Sequence, residues 1–236
     1  MKNKNICIIT ARGGSKRIPR KNIKPFLGKP IIAYSIEAAL SSNLFNMVMV
    51  STDDEEIAEI GVNYGAKVPF LRSKKNSDDF SSTVDVLLEV IECLEKKNLK
   101  FEFGCCLYPT APFITVEKLK HGHDLLTSGS FDAVLPVCSF SYPILRSLQM
   151  DSNGMLKMNW PENINLRSQD LPKSFHDAGQ FYWFNVNKLI KNKTILGANP
   201  GGFEIDETEV QDIDSEVDWR LAELKYSFMK NKTKID

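Results

Sequence analysis

The first feature of this 236-residue chain that could support chemistry is a glycine-rich basic loop near its start. It directly follows the apolar run Ile6–Ile9 and reads Ala11-Arg12-Gly13-Gly14-Ser15-Lys16-Arg17-Ile18-Pro19-Arg20-Lys21-Asn22. Adjacent glycines let backbone N–H groups surround phosphate oxygens, and Arg12 and Lys21 supply positive charge for a triphosphate. The alternative is a Gly-rich turn with solvated basic side chains, but the position directly after a strand favours phosphate binding. The spacing matches neither the GxxxxGKS/T of a P-loop nor the GxGxxG of a dinucleotide-binding loop.

An acidic segment near the other end is the second feature. From Glu204 to Asp218 there are eight acids and no base, whereas Ala11 to Pro30 carries seven bases and no acid. A basic and an acidic segment of this kind suit a phosphate-rich ligand and its metal. The alternative is that both segments are solvent-exposed surfaces.

Within the acidic segment, Asp212 and Asp214 are two residues apart, so on an extended backbone both carboxylates point the same way. Two hard oxygen ligands on one face suit Mg²⁺, which completes its shell with water and substrate phosphates. The alternative is an acidic cluster at a helix N-terminus, because Ser215 and Glu216 begin a helical pattern. The remaining acids in question are expected on the surface: Asp206, Glu207 and Glu209.

Composition excludes several classes of protein. The chain is 42% hydrophobic and 25% charged, with a formal net charge of zero, which is typical of a globular protein that neither nucleic acid nor a membrane surface attracts. Its five cysteines have no CxxC or zinc spacing, so we expect reduced thiols and a cytoplasmic location. The start lacks the apolar core of a signal peptide, and no membrane partner is expected.

Strand and helix patterns alternate along most of the chain, which predicts one doubly wound α/β domain over residues 1–236 with a mostly parallel, Rossmann-like sheet. In such sheets ligands bind at the carboxyl ends of the strands, here the loops after Ile9, Ser51 and Leu107. The predicted strands are Ile6–Ile9, Met47–Ser51, Gly104–Leu107, Ala133–Val137 and Phe181–Val186. The predicted helices are Ile31–Leu40, Glu55–Tyr64, Thr83–Lys97, Val116–Leu126 and Glu216–Met229.

An inserted segment at about residues 139–177 breaks this rhythm and is interpreted as an antiparallel arm. It has turn signals and little helical periodicity. A lone domain should not display so many apolar side chains, so the arm is expected to lie at a dimer interface. These side chains are Phe140, Tyr142, Ile144, Leu148 and Trp160.

The order of the motifs resembles the acylneuraminate (CMP-sugar) cytidylyltransferase family. The basic loop resembles its N-terminal signature, and the resemblance extends from about Ile6 to Tyr226. The further matching segments are Ser51-Thr52-Asp53-Asp54, Tyr108-Pro109-Thr110-Ala111-Pro112 and Asp212-Ile213-Asp214. Sialic acid enzymes of the family usually carry Gln where this chain has Tyr108.

The resemblance implies a homodimer in which the arm reaches over the neighbour's site, with Mg²⁺ as cofactor. Arg12 and Lys21 are the candidate catalytic residues, and Asp212 and Asp214 the metal ligands. The candidate nucleotide-binding residues are Ala11, Arg12, Gly13, Gly14, Ser15, Lys21, Asn22, Arg72 and Ser82. Arg72 matches the family's base-binding arginine; Ser82 matches a cytidine contact but would equally serve as a helix N-cap.

The candidate sugar-binding residues are Tyr108, Arg167, Gln180 and Tyr182. Arg167 presents a planar fork that suits the sugar carboxylate. Strand alternation puts Gln180 and Tyr182 on one face and the neighbouring Phe181 and Trp183 on the other. His176 is either structural or a substrate contact.

The expected reaction transfers CMP from CTP to the anomeric hydroxyl of an acidic nine-carbon sugar. Residues 165–171 and 176–183 are similar to the branch of the family that acts on pseudaminic acid. The alternatives are the same reaction on N-acetylneuraminic or legionaminic acid and, more distantly, a non-catalytic nucleotide-binding module.

Overall fold

The computed structural model describes residues 4–78 and 81–232. Its strands are β1 (Asn5–Thr10), β2 (Pro25–Phe26), β3 (Lys29–Pro30), β4 (Met47–Ser51), β5 (Phe103–Leu107), β6 (Ala133–Ser139), β7 (Leu148–Met150), β8 (Leu156–Met158), β9 (Phe175–Asp177), β10 (Phe181–Asn185) and β11 (Pro200–Glu204). Its α-helices are α1 (Ile31–Ser42), α2 (Glu55–Asn63), α3 (Thr83–Glu95), α4 (Val116–Ser128), α5 (Val186–Asn192) and α6 (Glu216–Lys232). The described helices include none that is long and apolar enough to span a bilayer.

The central sheet confirms the predicted α/β class. Its order is β11-β6-β10-β5-β1-β4, with β9 also paired to β6. Strand β1 lies parallel to both β4 and β5, and β11 lies parallel to β6. Strand β10 runs antiparallel between β5 and β6. The chain leaves β6 and returns beside it as β9 and β10, so this part of the sheet is a hairpin with the arm as its loop, and hairpins impose antiparallel pairing.

Apolar side chains cover both faces of the sheet, as a doubly wound fold requires. One buried cluster joins β1, β5 and β10 to α1, α2 and α4 through residues such as Ile36, Ile57 and Leu119. The other joins the opposite sheet face to α3 and α5. Phe181 and Trp183 belong to the first cluster and Tyr182 to the second, which confirms the predicted alternation along this strand.

A third cluster packs α6 over the basic loop. It contains Ile18 from the loop and Ile213 from the acidic segment, each 1% exposed, together with Trp219 of α6. Phe26, in the short β2–β3 hairpin, meets the ring of Trp219 edge-on with centroids 5.6 Å apart. Burial of these side chains is what brings the two ends of the chain together.

The cysteines form no disulfide, as the sequence predicted. Burial raises the pKa of the Cys106 thiol to about 12 and that of Cys7 well above its usual value. These thiols are therefore inert core residues at neutral pH.

The arm contains the antiparallel pair β7–β8 and three short 3-10 turns. Large apolar side chains lie exposed along it, including Tyr142 at 86% and Met155 at 71%. Phe140 and Leu148 are exposed as predicted. The prediction was wrong for Ile144 and Trp160, which are half-buried.

Candidate active site

The loops that follow β1, β4 and β5 meet at one edge of the sheet, where parallel strands end together. Two adjoining clefts lie there, of about 190 and about 270 Å³. Thr10 and Arg12 line both clefts. We call the smaller one the phosphate cleft and the larger one the nucleoside cleft, after the ligands that the sequence analysis predicts for them.

The phosphate cleft is formed by the basic loop and the loop after β5. Its lining residues are Thr10, Arg12, Ser15, Lys16, Arg17, Ile18, Lys21, Asn22 and Thr110. The candidates Arg12, Ser15, Lys21 and Asn22 thus come together, whereas Ala11, Gly13 and Gly14 are not among its lining residues. Thr110 lies in the Tyr108–Pro112 motif but was not singled out by the sequence.

The backbone of the basic loop is held from beneath. Ala11 is buried and its N–H donates to the Ser51 carbonyl at 3.0 Å, continuing the β1–β4 ladder. Asn22 is 4% exposed, and its Nδ2 donates to the Arg12 carbonyl at 2.8 Å. Asn22 therefore braces the backbone of Arg12.

Two aspartates after β4 give the Ser51–Asp54 motif a physical role. The Asp53 carboxylate accepts from the Gly13 N–H at 2.9 Å. Asp54 accepts two hydrogen bonds from Arg20, at 2.5 and 3.0 Å, and caps α2. The bond from Arg20 holds the pKa of Asp54 below its usual range.

Gly13 approaches Asp54 so closely that a side chain would not fit. A Cβ at Gly13 would lie 2.8 Å from Asp54 Oδ2. Arg20 adopts the left-handed conformation, with φ at 55°, and it also binds Glu56. The motif after β4 therefore fixes both ends of the basic loop.

The acidic pair lies in an irregular extended segment between β11 and α6, rather than in a strand. Ile213 points into the core while Asp212 and Asp214 stay on the outer side. Asp214 is 2.5 Å from Arg17 and 3.6 Å from Lys21, and Lys21 Nζ also donates to the Ile213 carbonyl at 2.6 Å. The basic loop and the acidic pair thus form one site.

The alternative role of the pair, as the N-terminus of α6, belongs to other residues. Ser215 Oγ accepts from the Asp218 N–H at 3.3 Å, and Asp218 accepts from the Ser215 N–H at 2.8 Å. Asp218 also accepts from the Asp214 N–H. The N-terminus of α6 is therefore capped by Ser215 and Asp218 rather than by the carboxylates of Asp212 and Asp214.

The carboxylates of Asp212 and Asp214 could hold a magnesium ion only if water and substrate supply its other ligands. Among residues 4–78 and 81–232, no three His, Cys, Asp or Glu side chains are grouped to hold a metal. Mg²⁺ commonly takes one or two carboxylates, with waters and phosphates for the rest. Asp214, which contacts Arg17 and Lys21 of the phosphate cleft, and Asp212, two residues away, match that pattern.

The nucleoside cleft contains Arg72 at its base. Arg72 is 8% exposed; its guanidinium donates to Ser51 Oγ at 3.2 Å and to the Ser51 carbonyl at 2.5 Å. Burial lowers the pKa of this guanidinium. The lining residues are Thr10, Arg12, Arg72, Asn76, Asp78, Ser81, Thr83, Val86 and Tyr108.

Ser82 takes the N-cap role that the sequence left open. Its Oγ accepts from the Asp85 N–H at 3.2 Å, and the Asp85 carboxylate accepts from the Ser82 N–H, forming a capping box at α3. The neighbouring Ser81 and Thr83 line the cleft, whereas Ser82 does not. The predicted cytidine contact of Ser82 is therefore not seen in this cleft.

Three candidate sugar-binding residues, Tyr108, Gln180 and Tyr182, contact one another, and of the three only Tyr108 lines the nucleoside cleft. The Tyr108 and Tyr182 rings meet edge-on, with centroids 5.5 Å apart. The Tyr182 hydroxyl donates to Asp177, and burial raises its pKa. Gln180 is 2% exposed, its carbonyl accepts from the Tyr108 N–H at 3.0 Å, and its Nε2 donates to the Glu209 carbonyl at 2.6 Å.

A short turn between β9 and β10 directly precedes β10 and contains Gln180. Gly179 adopts a φ of 62°, which favours glycine, and its N–H donates to Asp177 Oδ1 at 2.8 Å. This turn explains why the chain carries Asp177-Ala178-Gly179 immediately before Gln180.

Arg167 and His176 are not brought to either cleft within one chain. Arg167 is exposed on the arm and pairs with Asp170 at 2.8 Å. His176 Nδ1 lies 2.9 Å from the Asp177 carbonyl oxygen, and its ring contacts Phe140 with centroids 5.0 Å apart. The contacts of His176 are thus structural. The role of Arg167 in binding the sugar stays a prediction, because Arg167 does not reach either cleft of its own chain.

Glu209 corrects one expectation from the sequence. Rather than lying free on the surface, it pairs at 2.6 Å with Lys118 of α4, whose side chain is 10% exposed. No local sequence signal links the two residues, which lie on segments far apart in the chain.

The chain is similar in sequence to known proteins over most of its length. A family model described as Cytidylyltransferase matches residues 6–133. The chain is 42% identical to "Pseudaminic acid cytidylyltransferase" of Campylobacter jejuni subsp. jejuni over 94% of this chain and 96% of the relative. It is 31% identical to "CMP-N,N'-diacetyllegionaminic acid synthase" of Legionella pneumophila over 92% of this chain and 94% of the relative.

Among solved structures, the fold is similar to that of CMP:2-keto-3-deoxy-manno-octonic acid synthetase complexed with CTP. The TM-score is 0.68 at 18% identity, covering 97% of this chain and 99% of the other. At that identity the similarity establishes the fold.

Proposed function

The chain belongs to the cytidylyltransferase family, and from that premise we propose that it transfers CMP from CTP to the anomeric hydroxyl of pseudaminic acid. The products are the CMP-sugar and pyrophosphate. The observation that carries this proposal is the continuity of the two clefts through Thr10 and Arg12. A nucleoside triphosphate needs adjoining places for its base and its phosphates, and the sugar must approach the α-phosphate from the remaining side.

The reaction is a phosphoryl transfer in which one P–O bond forms and one breaks. The anomeric oxygen attacks the α-phosphorus and loses its proton to solvent. The α–β anhydride bond breaks, and its electron pair leaves with pyrophosphate. Catalysis then depends on positioning and charge neutralisation. Arg12 lies between the two clefts and Lys21 lies in the phosphate cleft, where they oppose charge on the transferring and leaving phosphates.

Magnesium would be held by Asp212 and Asp214 together with phosphate oxygens. When bound, Mg²⁺ would supply charge neutralisation and Lewis acidity at those oxygens. Lys21, which lies 3.6 Å from Asp214, links the acidic pair to the phosphate cleft.

A homodimer is the second part of the proposal. The exposed apolar side chains of the arm support it, because a chain acting alone rarely displays such a surface. A partner's arm also offers a way to bring Arg167, exposed at 73% of its side chain, towards a sugar carboxylate. A cytoplasmic location fits the use of CTP and the five free thiols.

Pseudaminic acid is proposed over related sugars because of the candidate sugar-binding residues Tyr108, Gln180 and Tyr182. Tyr108 adds a ring where sialic acid enzymes usually carry an amide, and it packs on Tyr182. Pseudaminic acid has a terminal methyl and a second acylamido group, which suit a surface that combines rings with amide partners.

The test is pyrophosphate release from CTP and Mg²⁺ with a panel of nonulosonic acids. We expect kcat/KM for pseudaminic acid to exceed that for N-acetylneuraminic acid, and Tyr108→Gln to reduce the preference by about 1–3 kcal/mol. Tyr64→Gln, which changes a tyrosine outside both clefts, is the matched control. Preference for N-acetylneuraminic or legionaminic acid would redirect the substrate assignment, and CTP binding without turnover on any sugar would indicate a nucleotide-binding module.

A further inference from the structure

Two lysines from different helices hold the turn that precedes the acidic pair, residues 206–210. Lys118 Nζ of α4 lies 2.6 Å from Glu209 Oε2 and donates to the Phe113 carbonyl at 2.9 Å. Lys225 Nζ of α6 donates to the carbonyls of Val210 at 2.7 Å and Glu207 at 3.1 Å. We call this turn, with Lys118 and Lys225, the lysine clamp.

The lysine clamp presents the Glu209 carbonyl to Gln180. Gln180 Nε2 donates to that oxygen at 2.6 Å. A backbone carbonyl can only accept, so it selects which end of the side-chain amide faces it. The amide nitrogen points to Glu209, and Oε1 lies at the opposite end.

This orientation leaves a buried acceptor. Gln180 is 2% exposed, and within the part of the chain that the structure describes no donor reaches its Oε1. A buried polar atom without a partner costs about 1–3 kcal/mol, so the arrangement favours a ligand that supplies an N–H or O–H.

The neighbours of Gln180 indicate which substrate could supply this donor. It directly precedes β10 and lies opposite Tyr108, a residue of the nucleoside cleft, to which its carbonyl is bonded at 3.0 Å. Tyr182, two residues further, packs on the ring of the same tyrosine. Arg72 lines the nucleoside cleft and Lys21 lines the phosphate cleft, whereas Gln180 lines neither, so we assign Gln180 to the sugar side.

We infer that Lys118 and Glu209 are positioning residues that orient Gln180 so that its amide oxygen accepts a hydrogen bond from the acid sugar. This rests on the proposed function and extends it to residues that lie outside both clefts. Without the ion pair the turn relaxes, the Glu209 carbonyl withdraws and the amide of Gln180 is free to rotate. The sugar then meets a donor as often as an acceptor.

Glu209→Gln tests the inference because it removes the carboxylate but keeps the backbone carbonyl. We expect KM for pseudaminic acid to rise about tenfold, equivalent to about 1.4 kcal/mol, while Kd for CTP changes less than about twofold. Lys118→Met should give the same split. Glu207→Gln, an exposed acid in the same turn, is the matched control and should match the parent enzyme.

A double-mutant cycle separates positioning from a general loss of stability. In a Gln180→Ala background, Glu209→Gln should have no further effect on KM for the sugar, since the oriented amide is gone. An undiminished effect in that background, or an equal loss of CTP affinity, would overturn the inference. If Glu209→Gln lowers Tm strongly, Lys118→Arg supplies the second variant: retained charge should retain the sugar KM, and a tenfold rise there would also overturn it. Lack of turnover by the parent enzyme would instead count against the proposed function.

Discussion

The basic loop and the arm are opposite kinds of structure within one chain. In the loop, Ile18 is 1% exposed, Arg17 meets Asp214, 197 residues away, and Asn22 is 4% exposed. In the arm, several polar contacts join residues close in sequence, such as Arg167 with Asp170 and Asp151 with Asn153, and large apolar side chains are exposed. The loop is complete within one chain, and the arm has an uncovered surface.

The difference separates a segment whose charged groups meet within one chain from a segment whose apolar side chains are exposed. Charges in the loop are preorganised against the acidic pair before any ligand arrives, which is what electrostatic catalysis requires. The arm gains nothing from its exposed rings until they are buried.

The largest effect is expected from Asp214→Asn. The change removes one carboxylate from the proposed metal site and leaves Arg17 and Lys21 in place, so turnover should fall about 10³-fold. Circular dichroism and Tm should stay close to those of the parent protein, because Asp214 is partly exposed. Parent rates across a Mg²⁺ titration would show that the metal assignment is wrong.

Lys21→Ala should lower kcat about 10²-fold and weaken CTP binding much less. Charge grows on the phosphoryl oxygens as the reaction proceeds, so the loss falls on the transition state. Steady-state kinetics at varied CTP measure the split. Lys67→Ala, a lysine outside both clefts, is the control, and a defect confined to KM for CTP would instead assign Lys21 to uniform binding.

Leu156→Asp in the arm should weaken association by about 2 kcal/mol, because it places a charge among side chains that a partner would bury. Leu156 is 61% exposed, and Val62, 55% exposed on α2, gives the matched control Val62→Asp. Light scattering at micromolar concentration should give twice the 26.7 kDa chain mass for the parent and the control. A parent mass near that of one chain would contradict the interface.

The smallest effect is expected at the contact between Arg20, in the basic loop, and Asp54. The bond from Arg20 lowers the pKa of Asp54, so this carboxylate stabilises the fold above its unfolded pKa of about 3.9. The contribution is lost as the pH falls through the lower folded pKa. Asp54→Asn keeps the N-cap of α2 and should cost about 1 kcal/mol at pH 7.

Urea unfolding from pH 7 down to about pH 2 measures the difference in free energy of unfolding between the parent and Asp54→Asn. The gap between the parent and Asp54→Asn should close in the acid range. A constant gap at every pH would mean that the charge on Asp54 adds nothing to stability.

Local patterns were enough to predict most of the fold. Strand β4 and the starts of the five predicted helices agree with the structure, because apolar periodicity and capping residues lie next to one another in sequence. Strand β11 was missed because Pro200-Gly201-Gly202 has poor strand propensity, and only pairing with β6 makes it a strand. Helix α5, at seven residues, is too short for a clear period.

The candidate site was predictable where chemistry and sequence are local. Arg12, Lys21 and Asn22 lie on one loop. A Gly-rich basic loop directly after a strand is a local pattern that predicts phosphate binding. The meeting of this loop with Asp214 depends on Ile18 and Ile213 sharing a core, which no local pattern reveals. The pairing of Lys118 with Glu209 is of the same kind, since burial by distant segments decides it.

The two ends of the arm have a consequence for the evolution of the fold. Ser139 pairs with Phe175, and the Phe140 N–H donates to the Ser174 carbonyl at 3.0 Å, so the arm leaves and re-enters the sheet through adjacent residues. An exchange of residues 140–174 needs only two neighbouring junctions, and the closure entropy of the intervening loop changes slowly with its length. The arm can therefore be lengthened, shortened or exchanged, in evolution or by design, without a change of register in the central sheet.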